Sequence, residues 1–339
     1  MLSKFDIGQD VDPSKPIFIG YHGGCPDGCA SALMALMVLK ILYPGAHIEM
    51  HAIFHGKKKN FPKIPKGCFV FSLDISPTEE DIKDLAVATK LIIADHHKGV
   101  AETQKVIEVN LGSMVVNLSD FTGNECGASL VAKMVKPYKD FDDETITMLH
   151  KLDVYKHPLP VELTEKYNYF KAFLIQHGER NCSIDLVEQM FSDKHACLEV
   201  GKKMHGEVVR ETDALAANAQ CIMHTKGFRV FLVDKHEHCG PIDMPRYQDM
   251  IDKLIIETPT LFLTRELALN QAGVYNTGVR RAGESVDIEK ICALLNKKTP
   301  FFNFVSAGGQ PYAGGVQSSK IPTREELIAA IVGAALYPE

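Results

Sequence analysis

The chain has 339 residues, 45% of them hydrophobic and 24% charged, enough to bury one or two ordinary cores, and two domains are expected at this length. A formal net charge of −6 excludes a global basic field, so a long duplex or an extended single strand would not be held by bulk electrostatics. A small anionic ligand needs only a local site. The nine cysteines follow no repeating spacing, which fits reduced thiols and a cytoplasmic location better than a disulfide framework. The opening residues MLSKFDIGQDVDPSKP are polar, which argues against a secretory signal, and no window reaches the ~18 apolar residues of a membrane span.

In chain order, Pro16 to Tyr21 reads as a buried strand, Gly23 to Gly28 as a turn, and Ala30 to Leu42 as a helix apolar on all sides. His47 to Ile53, Cys68 to Leu73 and Leu91 to Ala94 are further strands, with a helix expected over Pro77 to Ala88 that Pro77 starts at its first turn. Alternation of short apolar runs with helices predicts a parallel sheet. From Ser183 to Ala219, Glu, Lys and Met with few turn signals predict helices joining two domains. Gly227 to Val233, Thr258 to Thr264 and Gln271 to Val279 read as strands of a second domain, closed by helices Asp287 to Asn296 and Arg324 to Leu336. The expected fold class is α/β: a parallel-sheet domain at 1–182, a helical connector at 183–225, and a smaller α/β domain at 226–339.

The chemistry sits at strand ends. Ile92-Ile93-Ala94 runs abruptly into Asp95-His96-His97, and Phe69 to Leu73 ends in Asp74. His22 and Asp27 follow the first strand. A lone strand-end Asp is commonly a cap or turn residue, but three such ends in order are harder to dismiss. In open α/β sheets they converge beyond the carboxyl ends of the strands. Carboxylates and imidazoles without a cysteine cluster suit a hard or borderline cation such as Mn²⁺ or Mg²⁺.

In these motifs the chain resembles the DHH phosphoesterases over nearly its whole length. His22-Gly23-Gly24-Cys25-Pro26-Asp27-Gly28 is similar to the first motif, Asp74 to the second, Asp95-His96-His97 to the third and Leu149-His150-Lys151-Leu152-Asp153 to the fourth. Ala307 to Gly315 resembles the glycine-rich signature of the DHH-associated C-terminal domain. The resemblance implies two metal ions, Mn²⁺ or Mg²⁺, with Asp74 bridging them, His22 serving one, and Asp27, His96 and Asp153 the other. Asp95 would orient His96, and His97 would face the substrate phosphate, making Asp95 and His97 the catalytic pair. Cys25 stands where the usual first motif has an Asp, and the His-to-Asp spacing is one residue short. The His, Cys, Asp-Gly arrangement is similar to a nano-RNase, oligoribonuclease or cyclic-nucleotide phosphodiesterase-like subgroup. Cys25 is then a thiolate ligand, a neutral lining group or packing.

Gly308, Gly309 and Gln310, together with Arg280 and Arg281, are the candidate substrate-binding residues, since glycines let a backbone approach an anion or a planar base closely. The bland alternative is a tight turn. Gln310 replaces the family's usual His and suits base or ribose recognition. Lys57-Lys58-Lys59 reads as a solvated loop, as does His236-Glu237-His238-Cys239, which lacks a partner pair at zinc-site spacing. The expected function is a hydrolase that cleaves phosphodiester bonds of short oligonucleotides or small nucleotides by two-metal activation of water. The alternatives are a cyclic-nucleotide phosphodiesterase or nucleotide phosphatase on the same site, and a catalytically decayed nucleotide-binding sensor. The expected partner is the nucleotide substrate alone, with no membrane and no long duplex; a homodimer is left open.

Overall fold

In the computed structural model, which describes residues 6–54, 61–154, 158–177, 182–217, 219–225, 228–235, 260–267, 273–282, 287–298, 303–310 and 313–336, the apolar runs at 17–22, 69–73 and 90–94 form strands buried on both faces. The chain divides into two compact units, Met1–His205 and Gly206–Glu339. Lys57-Lys58-Lys59 and His236-Glu237-His238-Cys239 lie outside the described residues.

The first unit contains α1 (Ile7–Asp10), β1 (Ile17–His22), α2 (Pro26–Leu42), β2 (Ile48–Ile53), β3 (Phe69–Leu73), α3 (Ile82–Leu85), β4 (Lys90–Ala94), α4 (Ala101–Leu111) and β5 (Val115–Asn117). Helices α5 (Gly127–Val135), α6 (Asp143–Asp153), α7 (Thr164–His177) and α8 (Ile184–Ser192) follow, and α9 (Lys194–Ala217) carries the boundary between the units. The five strands are parallel, in the order β2-β1-β3-β4-β5. Successive side chains of a strand point to opposite faces, and here each face meets its own core. Ile17, Ile19, Phe69, Phe71, Leu73, Ile92 and Ala94 join the core of α2, α5 and α6. Phe18, Val70, Leu91 and Ile93 join Leu85, Ile107 and Leu111 on the other side. Double burial is why these strands read as continuous apolar runs.

Since β2 lies on one side of β1 and β3 on the other, the chain reverses direction across the sheet between β1 and β3. At such a point the crossovers leave on opposite faces and open a crevice beyond the strand ends. His22 closes β1, and Asp74 directly follows β3. Gly28, in the first turn of α2, allows that helix to start against the strand: a Cβ there would lie 2.2 Å from the His22 carbonyl oxygen.

The helix expected over Pro77 to Ala88 is shorter. Thr78, rather than Pro77, begins it, through a reciprocal cap with Asp81, giving a 3-10 turn at Glu79–Asp81 followed by α3. Asp81 also accepts from the Phe61 N–H at 2.9 Å, a long-range use of a capping carboxylate.

The second unit is a six-stranded mixed sheet in the order β10-β11-β9-β8-β7-β6, with β6 (Gln220–Thr225), β7 (Phe228–Lys235), β8 (Thr260–Glu266), β9 (Tyr275–Ala282), β10 (Phe304–Gln310) and β11 (Ala313–Ser318). Only β7 and β8 pair in parallel. Residues 220–225, expected within the helical connector, pair with β7; Cys221, Met223 and His224 carry no period-2 contrast strong enough to mark a strand. Helix α10 (Ile288–Lys298) and the C-terminal segments α11 (Arg324–Leu327) and α12 (Gly333–Leu336), joined by a π turn at Ile328–Val332, supply Ile288, Ile291, Leu295, Leu327 and Ile331 to a core with Val230, Leu261 and Val279. Among the described residues no helix is long and apolar enough to cross a membrane.

Gly28→Ala is expected to destabilise the chain by about 1–3 kcal/mol, because a backbone clash outweighs the roughly 1 kcal/mol that Ala gains over Gly in a helix. Gly45→Ala, where a Cβ meets nothing within 4 Å, should stay within about 0.5 kcal/mol of the parent. Urea denaturation of both variants measures the contrast; equal stabilities would refute the close approach of α2 to β1.

Candidate metal centre

The loop from β1 to α2 is pinned at several points. The Gly23 N–H donates to the Ile53 carbonyl at 2.8 Å. Gly24 adopts φ +73°, in the left-handed region open to glycine, and its backbone bridges to Cys182. Cys25 is the N-cap of α2 and Pro26 its first residue, where a missing N–H does no harm. This geometry turns Asp27 inward, 1% exposed. Its two carboxylate oxygens accept from the Gly127 and Ala128 N–H groups, both at 2.7 Å. These are unpaired donors of the first turn of α5, where the helix dipole favours an anion.

Asp74 is the non-glycine residue with positive φ among those described, at +57°. Such a conformation is uncommon outside glycine, though Asp tolerates it better than most residues. The backbone is held there by the Asp74 N–H donating to the Ala94 carbonyl at 2.8 Å. The carboxylate, 0% exposed, then divides its oxygens. Oδ2 lies 3.3 Å from His22 Nδ1, and Oδ1 lies 3.2 Å from His96 Nε2. Gly127 makes room for this: a Cβ there would come within 2.6 Å of Asp74 Cβ and 3.0 Å of Asp27 Oδ2.

From β4, Asp95 turns back on its own loop. Its Oδ1 accepts from the backbone N–H of His96 at 2.7 Å and of His97 at 3.1 Å, and lies 2.7 Å from His97 Nδ1. The resemblance had Asp95 orienting the His96 ring. In the structure it holds the His97 ring instead and reaches His96 only through the backbone, because the sharp turn after β4 brings residue 97 back over residue 95. The other oxygen of Asp95 accepts from Ser76 Oγ at 2.6 Å, Ser76 Oγ from Gln104 Nε2 at 2.6 Å, and Gln104 Oε1 from Asn117 Nδ2 at 2.8 Å. Ser76 and Gln104 are each 1% exposed, so Asp95 is anchored through a buried chain reaching α4 and β5.

Asp153 comes from the last turn of α6, an unfavourable end of the helix dipole for a carboxylate. There its Oδ2 lies 3.0 Å from His96 Nε2, which is also 3.7 Å from Asp27 Oδ2. Donor atoms thus gather in overlapping groups, His22–Cys25–Asp74, Asp74–His96–His97 and Asp27–His96–Asp153, each within 4.8 Å. Asp74 Oδ1, His96 Nε2 and Asp153 Oδ2 are buried without a hydrogen bond. Unsatisfied buried polar atoms are costly, and divalent cations held by these overlapping groups would satisfy all three. The donor set fits such an ion.

The electrostatics point the same way. Burial, with the Asp74 and Asp153 charges, pushes the Asp27 carboxyl well above the usual range. Burial acts in the same sense on Asp74, but the close approach of the His22 and His96 imidazoles and the His97 charge outweigh it and hold its pKa well below the ordinary value. Burial would depress His96; the Asp153 and Asp74 carboxylates instead raise it. In the same contest, the Asp95 charge wins at His97, raised to about 9, and the His97 charge wins at Asp95, lowered to about 2. Burial and the charges of Asp74, Asp153 and Asp27 push the Cys25 thiol well up. Among the described residues imidazoles balance these carboxylates, which is work a cation performs better.

His22, Cys25, Asp27, Asp74, Asp95, His96, His97 and Asp153 are therefore brought together in one unit. Gly308, Gly309, Gln310, Arg280 and Arg281 lie in the other. The glycine segment expected as a loop is a pair of antiparallel strands, with Gly308 opposite Gly315, Gly309 opposite Gly314 and Gln310 opposite Ala313. Glycine is depleted in strands, which hides them in sequence. Arg280 pairs Ala313 on its other side, so it shares a row with Gln310, while Arg281 pairs Leu261 one position along. Gly314 has a packing reason: a Cβ would lie 2.8 Å from Ile288 Cγ2. At Gly308 a Cβ would meet nothing within 4 Å, so packing leaves that glycine unexplained. The residues that sequence reasoning missed are Gly127, Ser76 and Gln104. Cys126-Gly127 ahead of Ala128-Ser129-Leu130-Val131 was the one local hint, a helix start.

No protein-family model and no curated protein sequence matches the chain. Solved structures do. A DHH-domain structure described as a member of a family of ribosomal proteins superposes with a TM-score of 0.63 at 14% identity, over 95% of this chain and 87% of that one. RecJ of Thermus thermophilus in complex with Mn²⁺ gives 0.55 at 12% identity, covering 96% of this chain and 53% of that one. An exonuclease RecJ bound to manganese gives 0.51 at 13%, covering 96% and 91%. The chain therefore shares the fold of this DHH-domain structure and of these RecJ structures.

Gly127→Ala tests how tightly the centre is built. The added methyl group should displace Asp74 and Asp27 and destabilise the chain by about 1–3 kcal/mol, and Mn²⁺ should bind at least about tenfold more weakly by calorimetry. Unchanged Mn²⁺ affinity would show that Gly127 does not set the positions of the two carboxylates.

Proposed function

We propose that the protein is a metal-dependent phosphoesterase that hydrolyses phosphodiester bonds of short oligonucleotides or small nucleotides. The observation that carries this reading is the Asp74 carboxylate, whose two oxygens face two different sets of donors. His22 and Asp74 would hold one cation, Asp27, His96, Asp153 and Asp74 a second, with Mn²⁺ or Mg²⁺ the expected ions. A pair of divalent cations supplies an acidified water and neutralises charge on phosphoryl oxygens. The two neighbouring RecJ structures bound to manganese support that ion.

The chain's own residues do the rest. Asp27, Asp74 and Asp95 are fully enclosed, whereas the side chains of His22, His97 and Asp153 are 21%, 22% and 22% exposed. These three mark the side from which a phosphate enters. Held through Nδ1 by Asp95, the His97 ring would face the substrate phosphate. Desolvated donors fixed in advance stabilise developing charge without reorganisation. Gly308, Gly309, Gln310, Arg280 and Arg281 are proposed to grip the nucleotide, with backbone N–H groups, an amide and guanidinium groups suited to a base or ribose and its phosphate. Apart from Cys25, which replaces an Asp of the first motif, the acidic and histidine donors are present, which favours turnover over a decayed sensor.

Asp74→Asn should lower hydrolysis of a dinucleotide by at least about 1,000-fold under saturating Mn²⁺, since one shared ligand serves both cations. Near-normal turnover by Asp74→Asn, or by the parent in excess chelator, would overturn the reading. Chromatography of the products from dinucleotides, cyclic dinucleotides and 3′-phosphoadenosine 5′-phosphate separates an oligonucleotide exonuclease from a cyclic-nucleotide phosphodiesterase and a phosphatase.

Gln310→Ala tests the second unit separately. KM for the dinucleotide should rise about tenfold with kcat and metal content unchanged, the pattern of a lost uniform binding contact. A kinetically normal variant would remove Gln310 from substrate recognition.

A further inference from the structure

We infer that Cys25 is a thiolate ligand, so that the His22–Cys25–Asp74 half of the centre takes a thiophilic ion such as Co²⁺ or Zn²⁺ in preference to Mg²⁺. This rests on the phosphoesterase reading above and adds to it a chemical difference between the two halves. The sulfur belongs to a group whose His22, Cys25 and Asp74 donor atoms all lie within 4.8 Å of one another. Among the described cysteines, Cys29, Cys68, Cys126, Cys182, Cys197 and Cys292 are buried and Cys221 is exposed, whereas Cys25 is half-buried. That is the exposure expected of a ligand at the open side of a centre.

The local structure holds the backbone that carries the sulfur. Cys25 occupies an N-cap position, where a side chain usually accepts from the first-turn N–H groups, yet it makes no capping hydrogen bond. Cys126, the N-cap of α5, does accept from the Ser129 N–H, at 3.4 Å. The backbone around Cys25 is meanwhile held by the Gly24–Cys182 bridge and the Gly23 hydrogen bond. The neighbouring Asp74 is fully buried, with Oδ1 lacking a hydrogen bond and Oδ2 turned to His22.

One imidazole, one carboxylate and one sulfur make a borderline-soft donor set, whereas Asp27, His96 and Asp153 offer only oxygen and nitrogen. Mg²⁺ prefers oxygen and sheds its waters reluctantly, while Zn²⁺ and Co²⁺ accept sulfur readily. Ligation requires the thiol to release its proton to solvent as the metal–sulfur bond forms.

The test uses the full chain freed of metal by a chelator and titrated with Co²⁺. A sulfur-to-cobalt charge-transfer band should grow in the near ultraviolet, and Cys25→Ser should lose it while still binding Co²⁺ at the other half of the centre. Zn²⁺ affinity should fall at least about tenfold in that variant, with Mg²⁺ affinity unchanged. The unmutated chain gives a second measurement, independent of whether the variant folds. Co²⁺ should slow alkylation of Cys25 by iodoacetamide, read by peptide mapping, and leave exposed Cys221 unaffected. Bound Co²⁺ with neither band nor protection, or a band that survives Cys25→Ser, overturns the thiolate role and leaves the phosphoesterase reading standing. No Co²⁺ binding at all overturns both.

Discussion

Asp74 leaves β3 with φ +57°, and its two carboxylate oxygens then face opposite sets of donors. Much of the first unit follows from keeping it there. The Ala94 carbonyl must accept its N–H, so β4 has to lie beside β3 in register. Residue 127 must lack a side chain, because a Cβ would press on Asp74. Once glycine opens that space, the start of α5 can approach closely enough for its N–H groups to hold Asp27. A strained backbone, a close-packed glycine and a capped helix are thus parts of one constraint, and such strain persists only where its surroundings over-determine it.

The charge balance is a second consequence. Asp27, Asp74, Asp95 and Asp153 sit together with imidazoles as their ion-pair partners. Buried like charges push each other toward protonation, visible in the raised pKa of Asp27. The centre is therefore arranged for positive charge rather than for stability, and Asp153 at a helix C-terminus makes the same point from the dipole. Asp95 stands apart because the Ser76–Gln104–Asn117 chain and the His97 ring satisfy it.

The second unit shows a different use of glycine. Its β10–β11 pairing sets Gly308 and Gly309 across from Gly315 and Gly314; Gly314 is demanded by packing against α10, whereas a Cβ at Gly308 would meet nothing within 4 Å. Gly308 is exposed, and Arg280 and Gln310 share one row of the sheet through Ala313.

The features legible in the amino-acid order are local ones. Strands buried on both faces read as apolar runs, and the polar residues that end them, His22, Asp27, Asp74 and Asp95 to His97, stand out because such groups are unfavourable in core. Asp153 was legible only by resemblance, since a helix-terminal Asp carries no local signature of a site. Which side chains meet depends on how the chain closes in three dimensions. Gly127 and Asp27 lie 100 residues apart in sequence, and Gln104 reaches Ser76 across 28. Asp95 holds the His97 ring rather than that of His96 because of how the loop folds back. The two units differ for the same reason: a strand's face is written in its period, but its partner, its register and the space left at a glycine exist only once the sheet has closed.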